Sequence, residues 1–338
     1  MQSRHKTLLS SPDASRRTGL RVALAAALLA CGVAHAADAW PTKQPVRIIV
    51  PFTPGGTSDT LGRIVAQKLT DSMKQSFIVE NRPGAGGVIG SDYVAKAAPD
   101  GYTLVVSGVA SHAIAPALSK KFPYDPVKDF THIALFGGPP NVLAVNMNVP
   151  AKNLKEFIAY AKTQPGKLNY GSPGNGTMGH LFAEQLGMTV GIQLSHVPYK
   201  GAGPAVSDLI AGHIPVISTT LTTAAGQIKA GKARAIGVSS RTRVPDFPDV
   251  PTFAELGYPA ATSVTWFSLS GPPGMPQEIV TKLNSEVRRI LQLPDVREKL
   301  RPEGIEPGNL DAKAFTEFVG AELKRWAPVV KASGASVD

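Results

Sequence analysis

VRIIVPFTPGGTSDTLGR, Val46 to Arg63, is the stretch whose reading decides the fold. Val46 to Val50 is apolar and rich in β-branched residues, the composition of a buried strand. Pro51 has no N–H for a sheet ladder, so the strand should stop there. Pro54, Gly55 and Gly56 turn the chain. Thr57, Ser58 and Asp59 are helix-capping types, and Leu61, Ile64, Val65 and Leu69 share one helical face. The unit is strand, glycine turn, helix start. The first N–H groups of such a helix have no partner of their own, and the aligned peptide dipoles favour an anion beside them. An ordinary βα loop has the same local pattern, so the stretch alone leaves both readings open.

A second unit follows the same plan. Phe77 to Glu80 reads as a strand, Asn81 to Gly87 as a second glycine loop, and a helix is expected over about Val88 to Ala97. In a parallel sheet both loops lie at the carboxyl ends of the strands and face one crevice. A third glycine loop, Ser172 to Thr177, follows a strand over Leu168 to Gly171 and opens a helix that Gly187 is placed to end. Further strands are expected over Thr103–Ser107, Thr131–Phe136, Val142–Val145, Gln193–Val197, Ile214–Ser218, Ala233–Val238 and Ser263–Leu269. Asn153 with Glu156 reads as a capping box for a helix from Leu154 to Thr163. Two C-terminal helices are expected over Pro276–Leu291 and Ala312–Lys331. Strands and helices alternate throughout, the pattern of an α/β protein.

The N-terminus reads as a leader. Arg4, Lys6, Arg16, Arg17 and Arg21 form a basic region, Val22 to Ala34 is an apolar run too short to span a bilayer, and Ala34-His35-Ala36 fits a cleavage site. The mature chain is expected to begin at Ala37, with 302 residues. Ser15 to Arg21 also resembles a twin-arginine signal with Gly19 out of pattern, so the export route stays open. Leu29-Ala30-Cys31-Gly32 is an alternative lipoprotein reading. Cys31 is the sole cysteine and leaves with the leader, which removes disulfides, zinc–thiolate sites and cysteine nucleophiles from the mature chain. Net charge falls from +10 to about +6, a mild basicity that suits an anionic ligand or an anionic membrane surface and is also common in secreted proteins with neither role. No run of five Lys/Arg exists, so nucleic acid is not expected as a partner.

Enzymatic readings find little support. Ser172 has Tyr170, not glycine, two residues before it, so there is no nucleophile elbow. Neither glycine loop runs into Gly-Lys, and Ile89 stands where a dinucleotide fingerprint starting at Gly84 needs its third glycine. His112, His132, His180, His196 and His213 make no H-E-x-x-H pair, and no carboxylate cluster has metal spacing. His180 follows a glycine loop and is read as structural rather than catalytic. No cofactor, metal or catalytic residue is assigned.

The stretches PFTPGGTSD, ENRPGAGG, YGSPGNGTMGHL, VPYKGAG and DVPTFAELG, in that order, resemble the substrate-binding proteins of tripartite tricarboxylate transporters, the Bug or TctC family. The likeness runs from about Trp40 to the C-terminus. It implies a two-lobed periplasmic-binding-protein fold, each lobe a mostly parallel sheet flanked by helices, with the ligand between them. It places lobe 1 at residues 37–142 and 264–338 and lobe 2 at 143–263, with crossings near Val142 and Val264. It implies a monomer that binds a small organic mono- or dicarboxylate and passes it to membrane permease subunits. A receptor serving a sensor protein, or an enzyme acting on an organic acid, are the alternatives.

In that frame the three loops line one cleft. The expected ligand donors are Thr57, Ser58, Ser107, Asn175 and Thr177 with backbone at Gly56, Ala85 and Gly176; Gly55, Gly86 and Gly174 let the ligand approach, and Phe52 packs on its apolar part. Asp59 is expected to cap or orient, since like charges repel. Tyr199-Lys200-Gly201 matches a cleft-edge motif of the family. Thr219 stands where many relatives carry an aspartate, which argues against an amino-acid ligand and toward a plain carboxylate, aromatic ones included.

Overall fold

The structure is a computed structural model and describes residues 40–119 and 121–335. The expectations for the leader, including cleavage before Ala37 and the role of Cys31, lie outside the described residues. The chain divides into Met1–Lys43, described only over a turn at 40–43, and Gln44–Asp338, which holds all the described helices and strands.

The first sheet begins as its sequence dictates. β1 (Val46–Val50) ends at Pro51, α1 (Thr57–Met73) returns along the sheet, and β2 (Phe77–Asn81) pairs parallel to β1. α2 (Val88–Ala95) leads to β3 (Thr103–Gly108), which pairs parallel to β1 on its other side. A π-turn (Ala110–Ile114), the short α3 (Ala115–Leu118) and β4 (Thr131–Gly137) follow. The chain then leaves for a second sheet. That sheet is built from β5 (Asn141–Asn146), α4 (Leu154–Lys162), β6 (Asn169–Ser172), α5 (Met178–Val190), β7 (Ser195–Pro198), α6 (Ala202–Ala211), β8 (Val216–Thr220), α7 (Leu221–Lys229) and β9 (Ala233–Val238). A long connection returns to the first sheet as β10 (Phe267–Gly271), before α8 (Gln277–Leu291), α9 (Pro294–Leu300) and α10 (Ala312–Ser333).

The strand orders are β2-β1-β3-β10-β4 and β7-β6-β8-β5-β9. Both sheets are mixed. The βα units pair in parallel, while β10 lies antiparallel to β3 and β4, and β5 lies antiparallel to β8 and β9. Antiparallel pairing arises where a strand enters its sheet from a crossing rather than from a helical return.

The strand orders also create a crevice in each lobe. From β1 the chain goes outward through α1 to β2, then back over β1 through α2 to β3. Right-handed crossovers put those two helices on opposite faces. Accordingly Gly62 of α1 lies against Val50 and Val106, while Val88 and Val94 of α2 pack with Ile49 and Val105 on the other face. In the second sheet α5 covers the Leu143, Val145 and Val216 face, and α6 and α7 cover the Val142, Ile217 and Val238 face. Such switch points, between β1 and β3 and between β6 and β8, are where ligands bind in open α/β sheets.

α10 ties the lobes together. Its Phe315, Val319 and Trp326 share one cluster with Val109 and Trp266 of the first lobe and Met178 and Leu181 of α5. Glu322 Oε2 accepts hydrogen bonds from the indole N–H groups of both Trp266 and Trp326 at 3.0 Å, so this buried carboxylate is paired.

Two local expectations are corrected. Gly187 does not end α5; the helix runs on to Val190 and stops at Gly191, whose φ of 70° is the left-handed conformation that a C-cap needs. Thr57, Ser58 and Asp59 do not cap α1, because Gly56 holds the N-cap position in extended backbone and no side chain bonds the helix start. The Asn153–Glu156 pair is formed, with Asn153 Oδ1 accepting from Glu156 N–H at 2.9 Å.

Candidate functional site

The loop after β1 is set by one buried carboxylate. Asp59 Oδ2 accepts from Gly55 N–H at 3.0 Å and from Arg63 Nε at 2.9 Å, and Oδ1 accepts from Asn81 Nδ2 at 2.8 Å. Asn81 Nδ2 also reaches the carbonyl of Phe52 at 3.0 Å. The Arg63 hydrogen bond, with those from Gly55 and Asn81, holds the Asp59 carboxyl down to about 2 against the cost of its burial. Asp59 thus orients the loop rather than capping the helix. Its folded-state pKa lies below the unfolded value, so its stabilisation is complete above pH 4 and disappears as pH falls through 2. Asp59→Ala is expected to cost roughly 2 kcal/mol at pH 7, since it leaves the Gly55 and Asn81 donors without their acceptor. Denaturant melts at pH 7 and pH 2.5 check this: the variant should differ from the parent at the first pH and much less at the second.

With the loop held, α1 presents an uncapped N-terminus. Gly55 and Gly56 are exposed, and a Cβ on either would meet nothing within 4 Å. α2 also starts without a side-chain cap, from Gly87. The turn before it, Gly84 to Gly87, has positive φ at all four residues, including 46° at Ala85, where a side chain makes that conformation costly. Ala85 and Gly86 are exposed. A Cβ on Gly87 would lie 3.0 Å from Phe52 Cζ and 3.3 Å from Ser111 Cβ, so the loops after β1, β2 and β3 converge on the Phe52 ring. Ser58 is buried in the first turn of α1, and Thr57 is half-buried.

One acid belongs to this corner and was not foreseen. Glu303, in the 3₁₀ turn Arg301–Glu303, has the Thr57 hydroxyl as a hydrogen-bond neighbour, and burial pushes its carboxyl up. Its carbonyl accepts from Thr222 Oγ1 of α7 in the second lobe at 3.4 Å. Nothing in the local sequence separates Glu303 from a surface acid; its position depends on how the C-terminal segment returns across the cleft.

The second-lobe loop is held from within. Ser172 Oγ bonds both the N–H and the carbonyl of Gly174 at 3.1 Å. Thr177 Oγ1 donates to Gly174 O at 2.8 Å and accepts from His180 N–H at 3.4 Å. Gly176 N–H donates to His180 Nδ1 at 3.1 Å. The His180 ring stacks on His196 with centroids 3.8 Å apart and planes 5° apart, and His196 Nε2 lies 2.6 Å from Ser172 Oγ. Burial pushes both imidazoles down to about 4, with each His196 proton further opposed by His180. Asn175 projects from the tip, exposed. The two lobes meet closely here: a Cβ on Gly176 would lie 2.9 Å from Leu118 Cδ1 of α3.

Three expected ligand donors, and Tyr199 of the cleft-edge motif, are therefore already engaged. Gly176 N–H serves His180, and the Thr177 hydroxyl proton serves Gly174. Ser107 is buried inside the first sheet, where its Oγ shares 2.7 Å hydrogen bonds with Ser268 and Ser270 of β10, and Ser270 continues to His132 Nδ1 at 3.1 Å. Cross-strand polar pairing, invisible in a local stretch, takes it away from the cleft. Tyr199 donates its hydroxyl to Asp208 Oδ2 at 2.7 Å and is pushed up to about 12, chiefly by burial. Its ring lies against Gly171 and its carbonyl beside Gly174, so it supports the loop from behind. Thr219 is buried on the α6 and α7 face, paired in register with Val142, and its Oγ1 has no partner. Lys200 is exposed. Arg82 lies 3.8 Å over the Tyr93 ring and pairs with Glu80, on the outer edge of the lobe.

The structure thus brings Phe52, Gly55, Gly56, Thr57, Ser58, Ala85 and Gly86 to the crevice of the first lobe, and Gly174, Asn175, Gly176 and Thr177 to that of the second. Four surface cavities of 610–980 Å³ lie elsewhere and are lined by none of these residues.

A two-lobed α/β chain with crossing strands and helix starts turned to the crevice has the architecture of a periplasmic binding protein. The family model described as the tripartite tricarboxylate transporter family receptor matches residues 61–335, and the chain belongs to that family. It is 36% identical to protein BugT of Bordetella pertussis over 302 residues, covering 89% of this chain and 92% of the relative. A UPF0065 protein of Cupriavidus necator is also 36% identical, covering 94% and 96%. Among solved structures, Rpa4515 of R. palustris with adipate is 36% identical with a TM-score of 0.75, covering 88% of this chain and 99% of the other. MatC of Rhodopseudomonas palustris with bound malate is 34% identical with a TM-score of 0.71, covering 86% and 99%. The family and these neighbours are binding proteins rather than enzymes.

Proposed function

We propose that this protein is an exported receptor that holds a small organic carboxylate between its lobes and delivers it to a tripartite tricarboxylate-type permease. The observation that carries the reading is the open N-terminus of α1, with no side-chain cap, facing the crevice beside a second uncapped helix start. A helix start favours an anion by typically ~0.3–1 kcal/mol, and more where partly buried, so two starts hold a carboxylate without an arginine clamp. The adipate and malate named with the two R. palustris structures support an acid of that size. The lobes, taken as residues 37–142 with 264–338 and as 143–263, would hinge at the two crossings and close over the ligand. We read the receptor as monomeric and non-catalytic, with the leader removed before Ala37.

The test is a thermal-shift screen against organic acids. A ligand at about 100 times its dissociation constant adds ~2.7 kcal/mol of stability. At least one small carboxylate should raise the melting temperature in this way and be recovered unchanged by mass spectrometry. Turnover of the bound acid, or no stabilisation by any acid, would replace the reading.

A further inference from the structure

Glu303 is an acid set against the ligand corner with no base to pair it. Its turn touches both lobes: the carboxyl has the Thr57 hydroxyl of α1 as neighbour, and the backbone carbonyl accepts from Thr222 Oγ1 of α7. Glu303 Oε2 is buried and has no hydrogen-bond partner. The charged groups on the elements around it are engaged elsewhere or face solvent. Arg301 of the same turn pairs with Asp246 at 3.8 Å, and Arg297 of α9 donates to Gln292, while Glu298 and Lys299 are exposed. In α1, Arg63 is taken by Asp59. The one charge of α7, Lys229, stands at its far end and pairs with Asp246. In the connection packed on Gly304, Arg243 pairs with Glu255 and Arg241 is exposed. Glu306 accepts from Thr242.

A carboxylate taken out of water without a cation is driven toward its neutral form, because its charge has neither solvent nor partner. Burial accordingly pushes the Glu303 carboxyl up. The other acid of this corner behaves in the opposite way. Asp59 is held down to about 2, first by its Arg63 hydrogen bond, and stays ionised. Two acids at one helix start are thus pushed apart, one fixed as an anion that shapes the loop and one left with a proton to give. The proposed ligand carboxylate sits at the Thr57 and Ser58 N–H groups, beside the residue whose hydroxyl Glu303 meets. A neutral acid there donates a short, charge-assisted O–H···O⁻ hydrogen bond, whereas an ionised one repels the ligand.

We propose that Glu303 makes ligand binding proton-linked: the carboxylate is held with Glu303 in its acid form, and where Glu303 is ionised beforehand it takes a proton from solvent onto Oε2 and donates it in a hydrogen bond to the ligand. The proposal rests on the carboxylate-receptor reading above and adds to it a residue from outside the three glycine loops. Affinity then falls as pH rises, since each ligand bound must bring a proton with it.

The experiment is calorimetry with adipate, with malate and with the acid that stabilises the parent most, in two buffers of different ionisation enthalpy, from pH 5.5 to 8.5. The folded His180–His196 pair protonates near pH 4, outside this window. The parent's binding heat should depend on the buffer, with at least about half a proton taken up at some pH in the window, and its affinity should fall by roughly 10-fold or more toward the alkaline end. Glu303→Gln keeps a donor and cannot ionise, so its heats should be independent of buffer and its affinity flat to within about 3-fold. Its unliganded melting temperature at pH 8 should hold or rise, because the parent carries a desolvated carboxylate there and the variant does not. Buffer-independent heats in a parent that binds an acid overturn this inference alone, and need no variant. Proton uptake that survives in Glu303→Gln overturns it too, since another group would be its source. A parent that binds no acid in the screen removes the receptor reading as well.

Discussion

Gly56→Val should abolish carboxylate binding while the protein stays folded. Gly56 lies at the N-cap of α1 with φ −83° and ψ 171°, extended backbone that valine adopts without strain. A Cβ there meets nothing within 4 Å, so the unliganded fold has room for the side chain. That room is the space in front of the Thr57 and Ser58 N–H groups, where the proposed carboxylate sits. The two methyl groups of valine would fill it and separate the anion from the helix start. The expected loss is at least about 100-fold in affinity, or ~2.7 kcal/mol. Calorimetry with the acid that stabilises the parent most reads the loss, and a melting curve without ligand shows whether the fold is intact. A folded Gly56→Val variant that binds like the parent would place the anion site elsewhere and remove the main support for the proposed function.

Acidification from pH 7 to pH 4.5 should weaken the fold through the stacked His180–His196 pair, and ligand binding should follow only near pH 4, where the folded pair itself protonates. Each imidazole is pushed from 6.5 to about 4, by burial first. The unfolded chain therefore takes up protons as pH falls through 6.5, while the folded protein resists until about 4. Stability is complete near neutrality and is lost between those two values. For the buried His180 ring and the half-buried His196 ring stacked on it the loss is roughly 2–4 kcal/mol. Local geometry gives the effect a functional consequence. His180 Nδ1 accepts the Gly176 N–H, and His196 Nε2 bonds Ser172, which in turn holds Gly174. A protonated Nδ1 cannot accept, so the Gly174–Thr177 loop loses its clamp. Denaturant melts from pH 4.5 to 7.5 should show stability falling with pH in the parent, while calorimetry should show affinity holding on acidification over that range and falling only as the folded pair protonates near pH 4. His196→Gln should flatten much of the stability slope, while any contribution from Glu303 would persist in that variant. A parent whose stability is constant over this range would show that the pair titrates as exposed histidines do.

Much of this chain is legible from local sequence. β1, Pro51, the glycine turn and α1 follow from residue types within one window, since β-branched runs, a missing N–H and glycine act over a few residues. The same holds for Asn153–Glu156 and for the strand at Ala233–Val238, whose ends match the expectation. What failed at short range failed for a physical reason. Gly187 is a helix breaker by propensity, but α5 packs across the second sheet through Leu186 and Val190, and that burial carries the helix past it. Ser107 carries a hydroxyl, but Ser268, 161 residues away in β10, is hydrogen-bonded to it inside the sheet.

The amino-acid sequence by itself determined the α/β class, the three glycine loops and the likeness to a family of carboxylate receptors. Each of these rests on residues within a few positions of one another, or on motifs in order along the chain. Only the tertiary structure decided which of the expected donors are taken by partners within the protein. It turned Asp59 into the anchor of the first loop, engaged Ser107, Thr177 and Tyr199 elsewhere, and brought Glu303 to Thr57. The reason is that a hydrogen bond or a desolvated atom depends on what other elements bring against it, and the connections between the two sheets bring together segments far apart in the chain.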